Sequence, residues 1–246
     1  LVEGWLATRA WPASSLMIQT PSPKPMAAQA EMAGAVVNPP PEQLGAARAV
    51  VLAVKPAYWR AAALDLAPHL AADAVIVSVM AGVTAQSLGE AFGARPVVRV
   101  MPTTGVAQMN GVAAVWSADP QARRLAHALF DLVADTVDLA EEALIDPATA
   151  VAGSAPAFIH AFIQALARAG ETQGLAPQAA VRLARGALRS AAAGLGTDEP
   201  LEALIARVAS PGGTTEAGLK AMSNEIDAAA RAAVDAAVAR ARALGL

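Results

Sequence analysis

The chain has 246 residues, a formal net charge of −3 and no cysteine. Its length suits one large domain or two small ones. The missing thiols exclude disulfides, thiolate metal sites and cysteine nucleophiles, which fits a reducing compartment such as the cytoplasm. Acidic and basic residues alternate without a long run of one sign, so the sequence indicates neither a nucleic-acid partner nor an anionic membrane surface.

The N-terminal segment resembles part of an amphipathic helix and not a targeting signal. Residues 1–10 lack the basic and apolar regions of a signal peptide, and the sequence opens on Leu1 within a helical pattern. We therefore expect further residues upstream. The uncharged stretch 147–167 is interrupted by proline, glycine, serine, histidine and glutamine, which favours a buried helical segment over a membrane span.

Short runs rich in valine and isoleucine alternate with helical patterns through the first part of the chain. The runs cover residues 16–19, 36–37, 50–54, 75–79 and 97–101, and helical patterns at 59–70 and 84–92 lie between several of them. Two further strand candidates, 111–116 and 136–139, flank a helical pattern at 120–132. Strands that alternate with helices are typical of βαβ units, so we predict an α/β domain with a parallel sheet over residues 1–142.

Strand signals stop after about residue 141, and the remaining sequence is helical in pattern. Asp146 and Pro147 suit the N-cap and first turn of a helix, and another helix begins near Ser154 and ends near Gly170 or Gly174. Further helical patterns cover 177–195, 200–209 with Asp198 near the N-cap, and 215–244. We predict an all-helical domain over residues 143–246 whose large apolar faces pack against a second copy.

The most informative segment is Ser210-Pro211-Gly212-Gly213-Thr214-Thr215, directly before the last long helix. Proline suits the second position of a tight turn, and the glycines permit backbone angles that other residues avoid. Such a turn exposes N–H groups to a small anion, and the helix dipole favours negative charge there. The pattern indicates a carboxylate site, although a plain turn between two helices remains an alternative.

Three other segments follow predicted strands, at residues 52–56, 78–84 and 99–105. Ligands of open parallel sheets bind beyond the carboxyl ends of the strands. Lys55 could therefore meet a cofactor phosphate or ribose, or be a solvated strand end. His69, His127 and His160 have no carboxylate at metal-ligand spacing, so we predict no metal site and expect structural or surface roles for them.

In order and spacing these segments resemble the pyrroline-5-carboxylate reductase family over essentially the whole chain. The resemblance is carried by residues 52–56, 81–84, 99–104 and 153–158, and above all by 210–215 with Ala217-Gly218-Leu219. It implies a Rossmann-like domain, a helical dimerisation domain, and reduction of pyrroline-5-carboxylate to proline in proline biosynthesis with NADPH or NADH. It also implies a homodimer or higher oligomer, with the active site between one subunit's Rossmann domain and the partner's helical domain.

The resemblance also implies roles for individual residues. Ser210, Gly212, Gly213, Thr214 and Thr215 would hold the substrate carboxylate, and Thr215 would contact that carboxylate or the ring nitrogen. The cofactor would be lined by Ala53, Val54, Lys55 and Pro56. The nicotinamide would lie beside Ala81 and Gly82, and its ring would lie near Met101, Pro102 and Thr103. No acid follows the family's second strand to hold a ribose 2′-hydroxyl; the hydroxyls and cation of Thr20, Ser22 and Lys24 favour a 2′-phosphate and hence NADPH.

Several departures from the family pattern leave alternatives open. The family's Gly-rich loop after the first strand does not occur in this sequence, Thr103 and Gly105 stand where Asn and Pro are usual, and Gln164 replaces a common Glu. Reduction of another cyclic imino acid, or a diverged non-catalytic dimer that binds a nucleotide, would fit these changes. A β-hydroxyacid dehydrogenase fits poorly because it needs a catalytic lysine on the helix at 156–170, which has none.

Overall fold

The computed structural model describes residues 1–9, 11–196 and 199–244. The chain forms two compact units: residues 1–153 together with the end of the last helix from Ala237, and residues 154–236. The predicted division between residues 142 and 143 stays a prediction. Asp198, which we placed near an N-cap, lies outside the described residues.

Two sheets lie in the first unit. Strands β1 (Met17–Ile18) and β2 (Val36–Val37) form a parallel pair. The second sheet has the strand order β3 (Ala49–Leu52), β4 (Val75–Ser78), β5 (Val97–Pro102), β6 (Gly111–Trp116) and β7 (Ala134–Asp138). Parallel pairing dominates, which confirms the predicted α/β class. Strands β5 and β6 are antiparallel, because the short connection between them cannot make a parallel crossover.

Helices pack on both faces of the five-stranded sheet. The helices of this unit are α1 (Val2–Thr8), α2 (Pro25–Met32), α3 (Trp59–Leu66), α4 (Ala85–Ala91), α5 (Pro120–Phe130) and α6 (Ile145–Ala148). Of these, α2 packs against β2 and α1 and, among the described residues, not against the five-stranded sheet. Neighbouring residues of β4 point to opposite faces: Ile76 belongs to the core with Phe92, and Val77 to the core with Phe130. Burial on both faces explains why β4 is a valine- and isoleucine-rich run without polar alternation.

The segment after β7 differs from the prediction at its start. Helix α6 begins at Ile145 with Leu144 as its N-cap, so the predicted N-cap role of Asp146 is wrong. Residues Glu142–Leu144 already form a 3-10 turn, which moves the start of the helix ahead of Asp146. A π-helical segment, Thr149–Ser154, follows α6. We did not predict it; π-helical turns are rare and occur frequently at functional sites.

The second unit is helical, as predicted. Helices α7 (Ala155–Thr172), α8 (Pro177–Ala193), α9 (Leu201–Val208) and α10 (Thr214–Ala243) follow one another, and α10 continues into the first unit. Helices α7 and α8 pack through a small core of Ala167, Ala180 and Ala184, against which Ile163 lies. Many larger apolar side chains of this unit are exposed, among them Phe158, Ile159, Phe162, Leu166, Leu183, Ile205 and Val208.

One helical stretch, Glu142–Thr172, is long and apolar enough to cross a membrane, judged by length and composition alone. Its mean hydropathy is 1.4, and 11% of its most apolar window is buried. A single stretch of this kind is weak support for a span, because an apolar helix that packs against protein has the same composition. The expectation of a buried helical segment at 147–167 stays a prediction.

Candidate active site

The segment at residues 210–215 forms a tight turn, as predicted. The Gly213 N–H donates to the Ser210 carbonyl over 2.9 Å, with Pro211 and Gly212 between them. Gly212 has a φ of +72°, the positive value that the third position of a type II turn requires. A Cβ on Gly213 would lie 2.9 Å from the Ser210 oxygen. Both glycines are therefore needed for the shape of this turn, which we call the 210–215 turn.

A carboxylate already contacts the 210–215 turn. The Gly212 N–H donates to Glu216 Oε2 over 2.6 Å, in an exposed setting. Thr214 and Thr215 open α10, where backbone N–H groups have no acceptor within the helix. Thr215 is half-buried and Thr214 exposed, and within the described part of the chain neither hydroxyl makes a hydrogen bond. The turn therefore offers donors suited to a carboxylate.

Three predicted cofactor segments leave the sheet at one edge. Leu52 of β3 pairs with Ser78 of β4, which pairs with Arg99 of β5, and the three strands are parallel. The segments that follow, residues 53–56, 81–82 and 101–103, are called the cofactor edge below. Ala53, Val54 and Lys55 are exposed there; Pro56, Ala81, Gly82, Pro102 and Thr103 are half-buried, and Met101 is buried.

Internal hydrogen bonds fix the turn after β4. Ser78 Oγ accepts the Met80 N–H over 3.3 Å, and Thr84 caps α4 by accepting the Ser87 N–H over 3.2 Å. Glu142 Oε1 accepts a hydrogen bond from the N–H of Ala85, the first residue of α4, over 2.7 Å. The turn that holds Ala81 and Gly82 is thus anchored at both ends by side-chain acceptors.

Glu142 also forms an ion pair with Arg99, which the sequence analysis missed. Arg99 Nη1 lies 3.1 Å from Glu142 Oε1, and the side chains are 5% and 25% exposed. Arg99 Nε and Nη2 are buried without a hydrogen-bond partner among the described residues. A charged residue inside an apolar strand pattern was the available signal, because buried charges are almost always paired. The sequence did not show which carboxylate would pair with it.

The end of β5 is held by two further contacts. The Thr103 N–H donates to the Val112 carbonyl over 2.9 Å, and Thr103 Oγ1 accepts the Val112 N–H over 3.1 Å. Thr103 thus joins β5 to β6 with both its backbone and its hydroxyl. A Cβ on Gly153 would lie 3.0 Å from Met101 Sδ, so the π-helical segment lies directly against β5.

The predicted phosphate-binding residues lie after β1, at the separate two-stranded sheet. The Thr20 N–H donates to Asn38 Oδ1 over 2.8 Å, and its hydroxyl donates to the Ser22 carbonyl over 2.9 Å. Lys24 precedes α2. Ser22 and Lys24 are exposed, and Thr20 is half-buried. The structure therefore groups Thr20, Ser22 and Lys24 in one loop, and strand pairing does not join that loop to the cofactor edge.

His127 lies in a polar cluster that the sequence spacing did not predict. Its Nδ1 and Nε2 lie 3.1 Å from Asp131 Oδ1 and 3.1 Å from Asp138 Oδ1 respectively, and Thr136 donates to Asp131 over 2.6 Å. Burial by itself lowers the pKa of His127, but the hydrogen bonds to Asp138 and Asp131 outweigh it and raise that pKa above 6.5. No group suited to a metal ion occurs among the residues described.

Comparison with known proteins places these features in a family. Residues 142–244 match the family described as pyrroline-5-carboxylate reductase dimerisation. A pyrroline-5-carboxylate reductase from Pseudomonas aeruginosa is 38% identical over 245 residues, which cover 96% of this chain and 89% of that protein. Another, from Thermus thermophilus, is 36% identical over 208 residues, or 82% of this chain and 77% of that protein.

Solved structures give the same result. A pyrroline-5-carboxylate reductase from Coxiella burnetii has a TM-score of 0.89 and 28% identity, covering 100% of this chain and 93% of that one. A Plasmodium falciparum pyrroline carboxylate reductase with NADP bound has a TM-score of 0.82, at 23% identity and with coverage of 100% and 93%, and shows the fold alone. On the relatives' identity and coverage, the chain belongs to the pyrroline-5-carboxylate reductase family.

Proposed function

We propose that this protein transfers hydride from NAD(P)H to the C=N bond of pyrroline-5-carboxylate to give proline. Relatives named pyrroline-5-carboxylate reductase are 36–38% identical over most of the chain. The observation that carries the proposal is the 210–215 turn, where the Gly212 N–H already donates to a carboxylate oxygen over 2.6 Å. The substrate has a carboxylate next to its ring, so such a turn suits its recognition.

The chemistry needs little from acidic or basic side chains. A cyclic imino acid can arrive with its nitrogen protonated, and an iminium carbon accepts hydride without a separate proton donor. A reduced nicotinamide would supply that hydride when bound, and the protein would contribute chiefly position. In the proposed arrangement the carboxylate is held by the backbone N–H groups of Gly212, Thr214 and Thr215 and by the Ser210 hydroxyl, while Gly213 keeps the turn closed. The Thr215 hydroxyl contacts the carboxylate or the ring nitrogen.

The residues present fit a dinucleotide, and we propose NADPH as the preferred form. The cofactor edge lies at the carboxyl ends of three parallel strands, where such cofactors bind. Lys24 pairs with no carboxylate among the described residues and is exposed, so its charge is available to a 2′-phosphate. Replacing it by alanine should raise the KM for NADPH and leave the KM for NADH unchanged; equal changes would exclude this role.

The proposal extends to assembly and location. Residues 143–246 would form the dimerisation and substrate-binding domain of a homodimer, consistent with the family matched at 142–244. We propose a cytoplasmic location on the absence of cysteine, because a chain without disulfides suits a reducing compartment. Fractionation of the source cells, with the protein recovered outside the cytoplasmic fraction, would contradict that location.

The deciding experiment follows NADPH oxidation by absorbance with pyrroline-5-carboxylate as substrate and identifies proline as the product. A Thr215→Val variant should lose about 10- to 100-fold in kcat/KM, because a hydrogen bond to a charged group is removed. Thr172→Val, at an exposed position of α7, is the matched control and should keep full activity. Full activity in Thr215→Val would exclude the role of its hydroxyl.

The alternatives give different results in the same assay. Turnover with another cyclic imine and none with pyrroline-5-carboxylate would favour a different imino-acid substrate. No turnover with either NADPH or NADH, from a folded oligomer, would favour a diverged binding protein.

A further inference from the structure

Glu216 places a carboxylate on the turn that is proposed to receive the substrate's carboxylate. Its Oε2 lies 2.6 Å from the Gly212 nitrogen, within charge-assisted hydrogen-bond distance. Glu216 is the third residue of α10 and is exposed. Its side chain can therefore leave the turn for solvent without opening a core.

We propose that Glu216 is an internal competitor of the substrate and that it sets the affinity of the 210–215 turn for carboxylates. The inference rests on the proposed function, since it assumes that this turn binds the imino acid. The single N–H of Gly212 has one hydrogen to donate, so a substrate carboxylate and Glu216 cannot both take it. Two carboxylates at one site also repel each other.

Substrate binding then requires the Glu216 side chain to move away from Gly212. In the absence of substrate, Glu216 keeps the N–H paired; in its presence, part of the binding free energy is spent on displacing it. An anion that binds the turn too weakly to displace Glu216 is kept out by the same contact. Glu216 is thus a residue that tunes substrate affinity and selectivity, without contacting the reacting carbon.

A capping role gives the opposite sign for the change in affinity. A glutamate at the third position of a helix can reach back to an N–H before the helix and stabilise its start. If that were its whole function, removing Glu216 would loosen the turn, and substrate affinity would fall or stay unchanged. Competition predicts a gain in affinity, so the sign of the change separates the two roles.

The test compares Glu216→Ala and Glu216→Gln with Glu225→Ala in the full chain. Glu225 is an exposed residue of the same helix and is the matched control for loss of one negative charge. We expect the KM for pyrroline-5-carboxylate in Glu216→Ala to fall about three- to tenfold, the range of a single net hydrogen bond at an exposed site. The KM of Glu216→Gln should fall less, since its neutral amide oxygen still accepts a hydrogen bond from Gly212. The KM of Glu225→Ala should match that of the wild type.

A second readout does not depend on turnover. Proline carries the same carboxylate, so its dissociation constant, measured by calorimetry, should fall by a similar factor in Glu216→Ala. If the dissociation constant of Glu216→Ala is unchanged or higher while the wild-type protein reduces pyrroline-5-carboxylate, the inference is overturned and the proposed function stands. A wild-type protein that neither reduces pyrroline-5-carboxylate nor binds proline would overturn the proposed function and this inference together.

Discussion

Gly105 lies where the backbone after β5 turns back against the start of β6. A Cβ at this position would lie 2.4 Å from the Asn110 carbonyl oxygen and 3.2 Å from the Gly111 Cα. The Asn110 N–H also donates to the Gly105 carbonyl over 3.0 Å. The connection between β5 and β6 thus closes around a residue without a side chain.

A Gly105→Ala substitution should lower the free energy of unfolding by about 1–3 kcal/mol, because backbone atoms must shift to admit the methyl group. Gly89 of α4 has no atom within 4 Å of its Cβ position and is the matched control. Gly89→Ala should stabilise by about 0.5–1 kcal/mol through helix propensity. Urea unfolding measures both; equal effects would show that Gly105 is not sterically constrained.

His127 gives the stability of the first unit a pH dependence. Its pKa is raised in the folded protein, where burial is outweighed by the hydrogen bonds to Asp138 and Asp131. A raised folded-state pKa means that the protonated form stabilises the fold. This contribution is complete below the unfolded pKa of about 6.5 and is lost as the pH rises through the folded pKa.

We therefore expect the unfolding free energy of the wild type to fall, as the pH rises above about 6.5, by more than that of a His127→Gln variant. The control is His69→Gln, since His69 is an exposed histidine of the same unit. Denaturant unfolding at several pH values measures the difference. Parallel curves for the wild type and His127→Gln would contradict the assignment.

These residues show what the sequence could and could not predict at this scale. The shape of the 210–215 turn was predictable, because Pro211 and Gly212 act through local backbone geometry. The contact of His127 with Asp138 was not, because Asp138 reaches it from β7, across a helix-to-strand connection whose geometry only the folded structure sets. Features that depend on residues close together in the sequence can be predicted from spacing, whereas contacts between separate elements depend on how those elements pack.

Among the strands and helices too, local patterns could be predicted and features that depend on packing could not. The bounds of β2 and β6 agree with the prediction. Strand β3 ends at Leu52 although the apolar pattern continues through Val54, because Val54 has already left the sheet and is exposed. The π-helical Thr149–Ser154 could not be predicted, since its hydrogen bonds depend on how α6 packs against β5 and β6.

The Arg99–Glu142 pair connects three elements that border the cofactor edge. Glu142 joins β5, through Arg99, to the first amide of α4. Removing one partner of a buried pair leaves the other charge unpaired, and Arg99 is 4% exposed. The turn with Ala81 and Gly82 lies directly before that amide, so its position depends on the same carboxylate.

Glu142→Ala should therefore lower the free energy of unfolding by about 2–4 kcal/mol, somewhat less than a fully buried pair because Glu142 is partly solvated. We also expect a higher KM for NADPH. Glu142→Gln should recover part of both losses, since its oxygen can still accept from Ala85. The adjacent, exposed Glu141 is the control, and Glu141→Ala should resemble the wild type. An equal loss in both alanine variants would argue against the pair.

At the scale of the whole molecule, the second unit exposes many large apolar side chains. Ile159, Phe162 and Leu166 of α7 share one helix face and are 45–46% exposed, while Ile163 and Ala167 turn toward α8. Exposed apolar patches of this kind mark interfaces between proteins. Together with the match to a dimerisation family at 142–244, they indicate a homo-oligomer.

A Phe162→Glu substitution should convert the proposed homodimer into monomers, because a carboxylate buried in an apolar interface without a partner costs several kcal/mol. Gln178→Glu adds the same charge at an exposed polar position of α8 and should leave the dimer intact. Sedimentation equilibrium measures the mass directly, and circular dichroism verifies that the helices persist. A wild-type chain that sediments as a monomer, or a Phe162→Glu chain that stays dimeric, would show that this face of α7 is covered by something other than a second copy.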